Sequence, residues 1–299
     1  MWAYPILINE YIEDLMIYKM LLKDKCIKLI LLASISFISF MMVMISLPSV
    51  LYAETSCNCV AFTLDGVQDY FLTNVQMDII RMFDDKEANL TIGIIGNDFG
   101  LDTNITSFIQ DEIAVGPKKS IIEVANNGWK GEDYVTLTKE QQSDLIGRTQ
   151  ARVDYLLKTQ PLTFLAPFGN MNNDTIESLR GGNLKYAIGY WNTDVPIRLN
   201  ESDLYVIPPG ISTGKLKAGS DLYEATPYDE LVQGIQQNIT DNGVAVVSMQ
   251  PLEFARKNQT DYINQSDQEQ IENLGSLLDT LKSKNVPIVT ITALSKTIN

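Results

Sequence analysis

At 299 residues, with 45% apolar residues and a formal charge of -14, the chain is too long and too apolar for a disordered or fibrous protein and can bury a substantial core. A body this acidic repels phosphate backbones and anionic lipid surfaces, which argues against nucleic acid as a partner. Three cysteines are too few for a disulfide scaffold, and histidine is absent altogether.

The first element is an apolar leader. Leu29 to Leu51 carry no charge, follow the basic stretch KDKCIK, and are long enough at about 20 residues to span a bilayer. Positive charge before the span holds that end in the cytoplasm and sends the remainder outside. Residues 1–53 therefore read as a signal peptide or a membrane anchor. The length of the apolar core favours an anchor, while LYAET offers Ala53 as a small residue before a cleavage point. Met20 opens MLLKDKCIKLILL, an ordinary signal-peptide start that would make residues 1–19 an extension. Four Lys and four Asp or Glu precede residue 54, so the acidity belongs to residues 54–299. N-x-S/T acceptors at Asn89, Asn104, Asn173, Asn200, Asn238, Asn258 and Asn264 all follow the leader and agree with an extracellular or cell-surface protein.

Beyond the leader, Cys57 and Cys59 form a C-x-C pair. It supplies too few ligands for a closed metal site, and reads as two incidental thiols or a local disulfide rather than a soft-metal site or a bridge to another chain. Eight apolar, β-branched runs follow in chain order: CVAFTL, LTIGIIG, SIIEVAN, TFLAPF, YAIGY, LYVIPP, VAVVSMQ and VPIVTITAL. Helical stretches alternate with them, including DYFLTNVQMDIIRMFDD, a long one capped by Thr138, DTIESLR, PYDELVQGIQQNI and QSDQEQIENLGSLLDTLKSK. Alternating strand and helix predicts a parallel α/β sheet, doubly wound or a (β/α) barrel, in one domain over 54–299. Chemistry in either architecture belongs at the carboxyl ends of the strands. Those ends hold Asp65-Gly66, Asn97-Asp98, Asn126-Asn127, Pro167-Phe168-Gly169, Tyr190-Trp191-Asn192 and Met249-Gln250-Pro251.

Four phrases in this order resemble the polysaccharide deacetylase family, the NodB-homology barrel. VAFTLDGVQDY (60–70) resembles its first motif, with two consecutive aspartates after a strand, and ANNGWKGEDY (125–134) the second, with two histidines four apart. FLAPFG (164–169) resembles the third, an Arg-x-Pro-aromatic-Gly loop walling the groove, and VVSMQPLEFA (246–255) the last, a histidine before proline. The resemblance implies a TIM-like, distorted (β/α) barrel that removes acetyl groups from glycans. One aspartate would be the general base, and the other, with two histidines, would hold a divalent metal such as zinc. Asp65 matches the base. Gly66 stands at the metal aspartate, Asn127 and Gly131 at the metal histidines, Leu165 at the arginine and Gln250 at the acid histidine.

A glycine ligates nothing, a neutral amide is a poor ligand beside imidazole or carboxylate, and a glutamine does not titrate near neutrality. The expectation is a pseudoenzyme without a metal cofactor: an exported envelope protein that binds a glycan or an envelope protein partner, with the leader in the membrane. An active deacetylase with a rearranged site, and a structural subunit of a membrane-associated complex, are the alternatives. Several residues carry two readings. Asp65 is a vestigial base or a strand-end cap. Trp129, Tyr134, Phe168 and Trp191, with Leu165 and Pro167, line a sugar groove or pack the rim. Asp98, Glu132, Asp133 and Asp194 join Asp65 in a replacement oxygen-ligand site or are solvated surface. Asn126 and Asn127 suit a left-handed turn after a strand.

Overall fold

The computed structural model describes residues 57–114, 121–192, 195–199, 203–219, 222–258 and 261–296. The leader with its apolar span 29–51, Asp194 and Asn200 lie outside the described residues. Among the described residues no helix is long and apolar enough to cross a membrane.

The chain begins with β1 (Cys59–Val67), α1 (Thr73–Asp85), β2 (Leu90–Ile94), α2 (Thr103–Ile113), β3 (Ile122–Asn126), α3 (Lys139–Leu157), β4 (Thr163–Asn170), α4 (Asn173–Gly181) and β5 (Tyr186–Tyr190). Every pairing in the run β1-β2-β3-β4-β5 is parallel. The strands are apolar at nearly every position because helices or barrel filling cover both faces. The two-residue period sorts β1. Val60, Phe62 and Leu64 point outward into the main cluster beneath the helices, where Phe62 meets Phe83 edge-to-face at 5.3 Å. Cys59 and Ala61 point inward with Leu165, Ile188, Ile207, Val246 and Ile291. The same alternation turns Phe164 and Ala166 outward and Leu165 inward.

Strict alternation fails after β5. The chain inserts β6 (Ile197–Leu199), β7 (Leu204–Ile207), β8 (Ile211–Ser212), β9 (Gly214–Leu216) and β10 (Tyr223–Ala225) before α5 (Tyr228–Asn242) and β11 (Val244–Met249). A hairpin of β12 (Ala255–Asn258) and β13 (Asp261–Ser266), then α6 (Gln268–Ser283) and β14 (Ile288–Val289), complete it. All eight predicted runs contain a strand, but the eighth is two residues long. Side chains take over its backbone: the Thr91 hydroxyl accepts the Ile291 N–H at 3.1 Å, and Glu123 accepts the Thr292 N–H and hydroxyl at 2.8 Å each. The first helix starts at Thr73, not Asp69, because Leu72 is left-handed.

The main sheet runs β6-β7-β5-β4-β3-β2-β1-β11-β8, with β14 also on β1. Among the described residues no ladder joins β7 to β8 or β11, so the (β/α) barrel is curled but open at this seam. Pro208 and Pro209 follow β7 directly and have no N–H to donate across the gap. Cys57 and Cys59 are joined in a disulfide within the chain, so neither a soft metal nor another chain takes the C-x-C pair.

Candidate functional site

Asp65 and Gly66 end β1, and Asn127 follows β3, two strands away in the sheet. The side chain of Asn127 is a bracket between strand ends. Its Oδ1 accepts the Gly66 N–H at 2.7 Å, and its Nδ2 donates to the Leu165 carbonyl at 2.8 Å. Asn126 is fully buried and does similar work, donating to the Ile146 carbonyl at 3.0 Å and accepting from the Gly128 N–H at 3.0 Å. Neither asparagine is left-handed, contrary to the expectation for this turn; that conformation falls on Gly128 at φ 84°. Two peptide groups that end their strands need partners in the interior, and the amides supply them.

Asp65 faces the interior at the carboxyl end of β1. The residue is half-buried, but its Oδ1 is closed to solvent and accepts no hydrogen bond. Burial pushes the carboxyl up to about 6, partly offset by the Thr63 hydroxyl, which lies close by but off hydrogen-bonding geometry. Strand-end capping is therefore not its role. At Gly66 the backbone φ is +77°, and a Cβ there would meet nothing within 4 Å. At Gly131 φ is +73°, and the nearest atom to a Cβ would be Ile95 Cδ1 at 3.7 Å. Both positions combine room for a side chain with a backbone that disfavours one.

The resemblance implies a divalent metal here, and the residues present do not fit one. Two of the three ligand positions have no side chain, and the third is an amide whose oxygen and nitrogen both serve the backbone. The rim acids do not replace them. Among the described residues no three of His, Cys, Asp and Glu converge where a cation could sit. Asp98 takes the Asn97 amide at 2.7 Å, and Glu132 takes the Lys130 N–H at 2.8 Å.

Gln250 follows β11, whose Met249 is in register with Leu64, so it lies beside Asp65 at the same end of the barrel. Its Oε1 accepts from the Tyr223 hydroxyl at 3.0 Å. The sequence reading missed Glu253, one turn further on and buried. Glu253 accepts from the Ser212 hydroxyl at 3.2 Å, the Thr213 hydroxyl, and the Gln250 N–H at 3.2 Å. Burial pushes its carboxyl up to about 7; these donors lower it, and the charge of Asp65 raises it further. The spacing Gln250 to Glu253 is a capping-box pattern, the signal that could have found it. Glu253 also lines a cleft of about 310 Å³ with Tyr223, Arg256 and Lys257.

The aromatic residues divide. Phe168 is 75% exposed and left-handed at φ 56°, and Tyr190, 49% exposed, stands near it across Gly169. An exposed bulky residue held in that conformation costs on the order of 1 to 3 kcal/mol, a strain that clusters at functional sites. The other candidates are packed. Tyr134 is fully buried against Phe164 at 5.2 Å, Leu165 fills the barrel interior, and Pro167 is buried near Gly128. Trp129 is covered by the Arg148 guanidinium 4.2 Å from its ring, and the Trp191 indole N–H is held by Asn173 at 3.0 Å. Asn104, Asn173, Asn258 and Asn264 are exposed acceptors. Asn89 is half-buried and donates to the Ile288 carbonyl at 2.7 Å, and Asn238 donates within α5 to the Gly234 carbonyl at 3.0 Å, so a sugar on either amide would disrupt that contact.

The fold is an open barrel with its polar residues gathered at the strand carboxyl ends. Residues 52–187 match the polysaccharide deacetylase family model. No curated protein sequence matches it significantly. Solved structures share the fold at low identity. A Mycobacterium smegmatis protein assigned as a polysaccharide deacetylase is 13% identical, with a TM-score of 0.60 over 85% of this chain and 92% of that one. A family 4 acetyl xylan esterase from Clostridium thermocellum, in complex with cobalt, is 15% identical, with a TM-score of 0.53 over 80% and 90%. A family 4 pseudoenzyme from Bacillus anthracis is 14% identical, with a TM-score of 0.52 over 79% and 65%. A mutant of that pseudoenzyme is described as having restored enzymatic activity.

Proposed function

We propose that this chain is a non-catalytic member of the polysaccharide deacetylase family that binds glycan at the carboxyl end of its barrel, exported and held at the cell envelope by its apolar leader. The observation that carries the reading is Asn127. At a metal-ligand position it has become a structural bracket, with both amide atoms spent on Gly66 and Leu165. Gly66 and Gly131 supply no donor, and Gln250 cannot deliver a proton as an imidazolium would. The exposed Phe168 offers a ring face on which a sugar can stack. A family 4 pseudoenzyme among the structural neighbours supports the reading by example.

The test is elemental analysis of the folded protein after incubation with zinc, cobalt, nickel and manganese and desalting, together with acetate release from acetylated oligosaccharides. Near-zero metal and no acetate are expected. About one tightly held ion per chain with acetate release would overturn the reading. One observation favours a second reading, a hydrolase with a rearranged site: Asp65 and Glu253 are two buried carboxyls raised to about 6 and about 7, the range of a working acid and base. Acetate release without bound metal, lost in both Asp65→Asn and Glu253→Gln, would establish it instead. Cleavage of the 54–299 region by protease added to intact cells tests export.

A further inference from the structure

We propose that the space around Asp65 takes the protonated amine of a de-N-acetylated amino sugar, so that the chain prefers glycans with free amino groups over their N-acetylated counterparts. The inference rests on the glycan-binding reading above and names the class of glycan.

The starting point is an uncompensated carboxylate. Asp65 Oδ1 is closed to solvent and has no hydrogen-bond partner, and no Lys or Arg among the described residues pairs with the carboxyl. Of the polar groups nearby, the Thr63 hydroxyl is off hydrogen-bonding geometry and the Asn127 amide donates to Leu165. Glu253, which feels the Asp65 charge, is itself an acid and supplies no compensating cation. A buried acceptor without a donor is costly, and a charge-assisted donor repays most when it arrives in so dry a place.

Room is available at the adjacent residue. A Cβ at Gly66 would meet nothing within 4 Å, and one at Gly131 would meet only Ile95 Cδ1 at 3.7 Å. Neither position carries a side chain that could hold a metal ion between the site and its ligand. An ammonium group brings its own positive charge and three donors, and needs no such ligand shell. An acetamido group brings one N–H, no charge and a carbonyl that repels the carboxylate. Phe168 and Tyr190 at the neighbouring strand ends offer apolar ring faces to the sugar itself.

The test is calorimetric titration of the full-length protein in detergent with a glucosamine tetrasaccharide and with its fully N-acetylated counterpart, using tetralysine as a control for general attraction to an acidic protein. The free-amine tetrasaccharide is expected to bind about tenfold tighter or more, the worth of one charge-assisted hydrogen bond. Asp65→Asn should erase the preference, Asp229→Asn at an exposed position should leave it, and tetralysine should not compete. Phe168→Ala should weaken both sugars alike. Equal or tighter binding of the acetylated sugar would overturn the inference while leaving the glycan reading standing. A preference that survives Asp65→Asn, or competition by tetralysine, would also overturn it. Binding of neither sugar would overturn the glycan reading and this inference with it.

Discussion

Asn127 is where sequence and structure part most clearly at the level of single residues. Read as a letter, it stands where the resemblance places a metal histidine; in the fold, it closes two backbone groups that would otherwise be orphaned in the interior. Asn127→Ala should therefore destabilise the protein by about 2 to 4 kcal/mol in a urea titration, since both partners are left unpaired. An unchanged midpoint would remove the bracket. The two buried carboxyls make a second prediction. Their folded pKa values, about 6 for Asp65 and about 7 for Glu253, lie above the ordinary values of 3.8 and 4.5. The folded chain thus keeps these protons longer than the unfolded one. The stability they confer is full below about pH 4 and is lost as pH rises through about 6 to 7. Glu253→Gln should flatten this fall by on the order of 2 kcal/mol between pH 5 and pH 8. Melting temperatures of both proteins across that range check it, and parallel pH profiles would count against the assignment.

Individual elements owe their limits to local chemistry. Helix α3 starts where Thr138 accepts the Gln141 N–H and Gln141 returns the bond to Thr138, a capping box written in the sequence. Thr138→Ala should cost about 1 kcal/mol, measurable by chemical denaturation with an unchanged slope. Strand β1 is held differently, by burial on both faces and by neighbours on both edges. Phe62→Ala, which empties the contact with Phe83, should cost about 3 to 5 kcal/mol. The long strands and most helices were legible because periodicity and caps are local. Helix α2 was not singled out, although Asp102 caps it by accepting the Asn104 N–H at 3.2 Å. Within the excursion from β6 to β10 only β7 was legible, in the run LYVIPP; its other strands are two or three residues long and take their meaning from distant partners.

On the scale of the whole molecule, the barrel frame ends in a mouth whose backbone is left-handed at Gly66 and Gly131. Restoring the family's ligands with Gly66→Asp, Asn127→His and Gly131→His together should bring about one divalent ion per chain. It should also lower stability by several kcal/mol, because two of the new side chains enter left-handed backbone and the third breaks the bracket. Metal content and a urea midpoint read the two effects separately. Metal gained without loss of stability would mean that the mouth is still built for a metal centre.

The sequence by itself determined the eight main strands and most of the helices between them, the end of the barrel at which polar residues gather, and which residues stand in the four motif-like phrases. These follow from local periodicity and residue identity, which need no knowledge of distant contacts. Only the tertiary structure decided that the barrel is open beside Pro208 and Pro209, that Leu165, Pro167 and Tyr134 are packing, and that Glu253 joins Asp65 as a second buried acid. Each of those depends on which strand ends meet and how far water is excluded between them. Burial and partnering belong to pairs of residues far apart in the chain, and no single stretch of letters contains them.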